Sequence, residues 1–203
     1  LFNPQSVSTA TFELVERFHL DSVGCAISAI HHRANACTVL RREALQTLPA
    51  AQHSGGICFG DQKLVETARS VAANVAAVRE WDSNGTNFGF DKDAGRTAGE
   101  FGHNDFYPVA IAASREAGFD GNGALRMMLL IDEIRGRLAE VFPLRMYAID
   151  HVHHGAVASA AAFTAALGGT VSQIESAIGL VVSHYVPFRA IRAGSQLSDS
   201  KGS

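Results

Sequence analysis

Three side chains suited to moving protons lie near the middle of this chain. Asp82 and Thr86 belong to the segment 81–86, WDSNGT, and His103 belongs to the segment 102–108, GHNDFYP. An imidazole can act as an acid or a base near neutral pH, and a carboxylate can orient an imidazole or accept a proton itself. These residue types predict general acid/base chemistry at a site that both segments help to build.

The stretch between the two segments shows no helical or strand pattern. A loop of that length is uncommon in a compact domain and is usually either disordered or functional. Asp82 also follows a helical pattern directly, where the helix dipole disfavours a carboxylate unless a cation or donor is near. Taken alone, Asp82 could be a solvated loop residue and His103 a structural one. We expect the stretch to be a wall of a site.

A second cluster is the run Asp150-His151-Val152-His153-His154. On a helix His151 and His154 share a face, which leaves a metal site open. Such a site needs three or four converging ligands, and neither an HExxH pattern nor a cysteine partner is present. We expect His151 to serve as an acid, base or donor at the start of a helix. We expect His153 and His154 to be polar packing residues.

Cations are grouped near the end, at Arg189, Arg192 and Lys201. Arginine can hold a carboxylate in bidentate fashion and lysine can hold it as a point charge. The segment predicts a binding site for a carboxylate substrate, and the competing interpretation is an ordinary solvated rim.

The composition limits the classes of protein to which this chain could belong. The chain has 203 residues, of which 47% are hydrophobic, and a net charge of -3, so no footprint for nucleic acid or an anionic membrane is visible. No apolar run approaches the roughly 20 residues of a membrane span, and no leader opens the chain, so we expect a cytoplasmic protein, or a mitochondrial matrix protein in a eukaryote. Cys25, Cys37 and Cys58 predict buried free thiols rather than disulfides.

Apolar spacing predicts a mostly α-helical bundle or array, an all-α fold. We expect helices over about 8–30, 34–48, 61–81, 106–117, 123–142, 151–167 and 172–185. The first should bury Leu20, Val23, Ile27 and Ile30. Asp61 should cap the third, Asn104 or Asp105 the fourth, and a capping box of Ser172 with Glu175 the last. The alanine-rich sixth helix should be central and tightly packed.

Taken together, these motifs resemble the MmgE/PrpD family along nearly the whole chain. The resemblance rests on the order of the segments 18–26 (FHLDSVGCA), 81–86, 102–105, 130–137 (LIDEIRGR), 149–152 (IDHV), 188–192 (FRAIR) and 198–201 (SDSK). It implies an all-α chain that forms the N-terminal part, residues 1–203, of a helical domain. Because the chain starts without methionine and stops after a polar stretch, we expect a fragment whose smaller α+β domain lies mostly beyond Ser203.

The resemblance also implies a site and an activity. The family's catalytic roles would fall on Asp82, Thr86, His103, His151 and Lys201, and we expect Arg192 and Arg189 to bind substrate carboxylates. The implied reaction is the dehydration of 2-methylcitrate to 2-methyl-cis-aconitate in propionate breakdown, without a cofactor or metal, in a homodimer. Several family members have His-Pro at His103-Asn104, and the choice between His151 and His153 stays open.

Three alternatives remain at the level of sequence. The family also includes cis-aconitate decarboxylase, whose pocket is related. A metal-dependent hydrolase could use His103, Asp105 and the His151 cluster. A helical binding module without catalysis is the third. The expected partner in the leading interpretation is a small tricarboxylate, with neither nucleic acid nor membrane involved.

Overall fold

The computed structural model describes residues 7–51, 54–83, 85–91, 93, 95–102 and 104–188, and the backbone alone within 86–91 and 96–102. Its helices are α1 Thr9–His31, α2 Asn35–Ala44, α3 Thr67–Arg79, α4 Tyr107–Glu116, α5 Gly121–Val141, α6 Val152–Ala166 and α7 Val171–His184. Two small antiparallel sheets accompany them, β1 Gly56–Ile57 with β2 Leu64–Val65, and β3 Thr86–Asp91 with β4 Arg96–Gly102. The predicted all-α class is confirmed.

The main core lies between α1, α4, α5 and α6. Tyr107, Met128 and Ile131 are almost completely buried there, against Ala158 and Ala162 of α6. Burying an apolar side chain such as Met128 or Ile131 contributes about 1.5–3 kcal/mol relative to leaving it in water. The small side chains of α6 let its neighbours approach closely, so the tight packing expected of the alanine-rich helix is present.

Helix α1 is capped by Ser8 and does not bury the predicted face. The Ser8 hydroxyl accepts a hydrogen bond from the Thr11 amide at 3.2 Å. The buried residues of α1 are Val15, Ser22, Ala26 and Ala29, whereas Leu20 is 64% exposed and Ile27 60% exposed. The predicted stripe was wrong for Leu20 and Ile27, because close packing against the neighbouring elements selects the small side chains of α1.

Helix α3 starts later than predicted. Glu66 caps it, accepting from the amides of Ala68 and Arg69. Asp61, the predicted cap, instead accepts from the amides of Gln62 and Lys63 in a local turn that leads into β2. The cap prediction for Asp61 was wrong because a short polar side chain stabilises a turn as readily as a helix start.

The capping box of α7 is displaced by two residues from its predicted place. Thr170 accepts from the Gln173 amide at 3.3 Å, and the Gln173 side chain accepts from the Thr170 amide at 2.8 Å. Ser172 and Glu175 lie within the helix instead. Both pairs fit the pattern of a capping box, so sequence alone did not separate them.

The stretch between the two central segments is a β-hairpin, and the prediction of an irregular loop was wrong. Strands β3 and β4 pair in register from Thr86 opposite Gly102 to Asp91 opposite Arg96, with an irregularity between Phe88 and Phe90. Gly95 has φ +62° at the turn, a conformation that glycine adopts without strain. Glycines within both strands interrupt the alternation that would have predicted them.

Gly155 of α6 provides a test of the core. A Cβ atom built there would lie 2.0 Å from the Phe106 ring, whereas one at Gly179 of α7 would meet nothing within 4 Å. We expect Gly155→Ala to lower the free energy of unfolding by about 1–3 kcal/mol through overpacking. We expect Gly179→Ala to raise it by about 0.5–1 kcal/mol, since alanine is the better helix former. Urea unfolding measures both, and a Gly155→Ala variant as stable as the wild type would contradict the packing.

Candidate active site

The hairpin brings the two central segments together. Thr86 opens β3 and pairs with Gly102, the last residue of β4 and the residue directly before His103. The backbone of Thr86 therefore lies beside the residue that leads into His103. The Thr86 side chain and all of His103 lie outside the described residues.

Asp82 occupies a sharp exit from α3. Its φ of +52° is in the left-handed region, which few non-glycine residues adopt, and its amide donates to the Arg79 carbonyl at 3.0 Å. Its side chain is 35% exposed, so it can meet a solute. The preceding Trp81 packs edge-on against His32, and Cys25 Sγ lies 3.7 Å from Ser83 Oγ, so α1 supports the segment on one side.

A buried guanidinium lies beneath both segments. Arg79 Nη1 contacts Asp82 Oδ1, and Arg79 Nε lies 3.4 Å from Asp105 Oδ2. The side chains of Arg79 and Asp105 are 7% and 4% exposed. The arginine thus faces two carboxylates, one at each end of the hairpin, and compensates the charge at the α3 terminus that the helix dipole disfavours.

Asn104, the residue directly after His103, is held by hydrogen bonds to α1. The Ser22 hydroxyl of α1 donates to the Asn104 carbonyl at 3.2 Å, and the Asn104 side-chain amide donates to the Phe18 carbonyl. Residues 104–106 form a short 3-10 turn, and α4 begins at Tyr107 without a side-chain cap. The prediction that Asn104 or Asp105 caps α4 was wrong, because both side chains are used to attach the turn to α1 and α3.

His151 stands at the start of α6 beside a fully buried carboxylate. Its Nδ1 lies 3.4 Å from Asp150 Oδ1, which also accepts from the Val152 amide at 3.1 Å. The Asp150 amide donates to the Pro187 carbonyl at 2.8 Å, and Ile149 pairs with Phe188 in an isolated bridge. Asp150 therefore orients the imidazole and helps to tie residues 187–188 to this end of α6.

The remaining histidines of the cluster point into the protein. His153 and His154 are buried, as expected of packing residues. Burial, with His153 and Arg135 adding positive charge nearby, lowers the pKa of His154 to about 4. His151, whose side chain is 11% exposed, lies beside Asp150.

A second buried charge group joins the turn to the helices behind it. Arg135 of α5 lies over the Phe106 ring, with its guanidinium carbon 4.7 Å from the ring centroid, and pairs with Asp132 at 3.6 Å. Burial raises the pKa of Asp132 to about 6, and Tyr107 donates a hydrogen bond to it. Phe106 also packs on Gly155, one turn beyond His151, so the turn after His103 contacts the helix that His151 begins.

The predicted site residues therefore fall into two groups. Asp82, the backbone of Thr86 and the turn after His103 are held together, and Asp150 with His151 lies on a helix that packs against the same turn. The predicted cations Arg189, Arg192 and Lys201 lie outside the described residues, although Arg189 directly follows the paired Phe188. Within the described ranges, no group of three His, Cys, Asp or Glu side chains could hold a metal ion.

A match to a known protein family shows which family the chain belongs to. A model of the MmgE/PrpD N-terminal domain matches residues 2–202. The chain belongs to the MmgE/PrpD family. No curated protein matches it closely enough to add a relative. In the part of this MmgE/PrpD domain that the structure describes, no helix is both long and apolar enough to cross a membrane.

The residues that hold the candidate site of this MmgE/PrpD domain in place were not predicted from the sequence. Arg79 looks like an ordinary basic residue in the last turn of a helix, and Asp105 and Asn104 look like helix caps. Arg135 lies on the buried side of α5, among residues otherwise typical of a core. The available signal was a charged residue within an otherwise apolar helix face. Because a buried charge needs a partner, such a residue predicts a buried ion pair.

The depressed pKa of His154 gives a pH prediction for the MmgE/PrpD domain. The folded state holds this imidazole neutral down to about pH 4, whereas the unfolded chain protonates it near 6.5, so acid favours unfolding. We expect the free energy of unfolding of the wild type, relative to that of His154→Gln, to be highest above pH 6.5. This difference should decrease as the pH drops towards 4. Urea unfolding at several pH values measures it, and a pH-independent difference would contradict the burial of a neutral His154.

Proposed function

We propose that this chain belongs to a hydro-lyase that dehydrates 2-methylcitrate to 2-methyl-cis-aconitate in propionate breakdown. The reaction removes a proton next to a carboxylate and expels hydroxide from the neighbouring carbon. The enzyme must stabilise an aci-carboxylate-like transition state and protonate a poor leaving group. Donors and cations held in a site shielded from water are the most effective means of doing so.

The observation that carries the proposal is the family match over residues 2–202. The fold agrees with it, because Thr86 pairs with Gly102 and Arg79 joins Asp82 to Asp105. The family is known for dehydratase chemistry, so a lyase of this type is the function that the match supports. The identity of the tricarboxylate and the involvement of each residue belong to the proposal.

Each residue has a role in the proposed mechanism. His103 and His151 supply the acid and the base, and Asp150 holds the His151 ring through Nδ1. Asp82 orients an imidazole or accepts the proton, with Thr86 as its hydrogen-bond partner. Lys201, Arg192 and Arg189 bind the substrate carboxylates, where arginine gives bidentate contacts. General acid/base catalysis of this kind requires neither a metal nor a cofactor.

The alternatives differ in what they require of the site. Decarboxylation of cis-aconitate would use the same residues and would release carbon dioxide. A metal-dependent hydrolase would need Asp105 as a ligand, yet this carboxylate is buried against Arg79, a cation that opposes a metal ion at the same place. A non-catalytic helical module would not require an exposed Asp82 in a left-handed conformation.

The setting of the domain is part of the same proposal. The matching family model describes an N-terminal domain, which supports the proposal that residues 1–203 are the N-terminal part of a helical domain. We propose that the complete protein also has a smaller α+β domain. We further propose a homodimer in the cytoplasm, or in the mitochondrial matrix of a eukaryote.

The activity is tested with the complete protein and 2-methylcitrate. We expect ultraviolet absorbance to rise as the conjugated double bond of the product forms, without release of carbon dioxide. Metal analysis of the same preparation, purified without added metal, serves as a control. Release of carbon dioxide from cis-aconitate would support the decarboxylase instead, and a flat trace from folded protein on both substrates would contradict the proposed chemistry.

The site assignment is tested by histidine substitution. We expect His103→Asn and His151→Asn each to lower kcat by about a hundredfold to ten thousandfold, the usual contribution of a general acid or base. His184→Asn is the matched control, because His184 is exposed at the end of α7 and bonds only local groups among its described contacts. If the single variants His103→Asn and Lys201→Ala both kept the turnover of the wild type, the assignment of the site residues would be wrong.

A further inference from the structure

Besides the backbone pairing of Thr86 with Gly102, the two segments of the proposed site are joined by the side chain of Arg79. It ends α3, and its guanidinium reaches Asp82 on one side and Asp105 on the other. Asp82 precedes the hairpin and Asp105 follows it, so the two contacts span the hairpin at its base. With Arg79 and Asp105 almost fully buried, water does little to screen this pairing.

The shape of the guanidinium matters for this arrangement. Nη1 faces Asp82 while Nε faces Asp105, so two different edges of one planar group are used. A lysine ammonium is a point charge on a flexible stem and cannot present two fixed edges in this way. The left-handed conformation of Asp82 is uncommon and persists where surrounding contacts hold it, and the Arg79 contact is one of them.

We propose that Arg79 is a positioning residue, which sets the place of the Asp82 carboxylate and of the turn behind His103. The proposal rests on the proposed function for its catalytic consequence. Arg79 touches no substrate in this scheme and acts through Asp82 on one side and Asp105 on the other. Losing its geometry would shift the reacting groups relative to each other without removing any of them.

Helix α3 offers a matched control in Arg69. This arginine also approaches two carboxylates, Glu43 at 3.7 Å and Glu66 at 4.0 Å. Its side chain is 57% exposed, so these pairs contribute little and lie on the outer surface. The same substitution at Arg69 and Arg79 therefore separates the effect of changing an arginine on α3 from the effect at the site.

The first experiment compares Arg79→Lys with Arg69→Lys in the complete protein acting on 2-methylcitrate. We expect Arg79→Lys to lower kcat by about a hundredfold, the cost of a small misplacement of reacting groups, with KM nearly unchanged. Arg69→Lys should match the wild type in both constants. A folded Arg79→Lys variant with wild-type kcat would overturn the proposal, since a merely structural pair would change stability alone.

The second experiment does not depend on turnover. Hydrogen–deuterium exchange, followed by mass spectrometry, reports local opening in peptides covering 81–86 and 102–106. We expect both peptides to exchange faster in Arg79→Lys and neither to change in Arg69→Lys. An unchanged 102–106 peptide would overturn the proposal. If the wild type fails to dehydrate 2-methylcitrate, the proposed function fails while this readout still decides the role of Arg79.

A further variant covers the case in which Arg79→Lys does not fold. Arg79→Met combined with Asp105→Asn removes the buried cation together with the buried carboxylate beside it, so neither is left without the other, and Arg135 keeps Asp132 as its partner. We expect this double variant to fold and to show the same loss of kcat and the same faster exchange at 81–86. Wild-type kcat in the double variant would overturn the proposal.

Discussion

The guanidinium of Arg79 is buried, so its charge must be compensated inside the protein, and the compensation comes from Asp82 and Asp105. Removing one member of a buried ion pair typically costs about 3–5 kcal/mol, because the partner is left as an unpaired charge. The path of the chain depends on this requirement, because the Arg79 side chain joins the end of α3, the base of the hairpin and the turn before α4.

The same turn connects this ion group to the rest of the domain. Asn104 is attached to α1, and the Phe106 ring is close to both the Arg135 guanidinium and Gly155 of α6. Helix α6 in turn begins at His151, whose ring is held by Asp150. In this region Arg79 lies near Asp82 and Asp105, and Arg135 lies near Asp132, so both buried guanidinium groups have a carboxylate close by. A site built in this way has its polar groups fixed before a substrate arrives, which is the condition for electrostatic catalysis.

The family and the helical architecture could be predicted from sequence because helix periodicity and ordered motifs are local signals. The motifs led to the proposal that Thr86 and His103 belong to one site, yet the pairing of Thr86 with Gly102 could not be predicted, since glycines interrupt the strand pattern. The buried face of α1 was mistaken because packing selected small residues over Leu20 and Ile27. Arg79 was missed because contacts between distant segments leave no periodic trace in a sequence.

The most direct test of the account is a crystal structure of the complete protein with 2-methylcitrate bound. We expect the ligand to lie between the hairpin base and the start of α6, with His103 and His151 within hydrogen-bond distance of it. Asp82 should remain in contact with Arg79. A ligand bound elsewhere on the protein, or an Asp82 that leaves Arg79 to ligate a metal ion, would contradict the account.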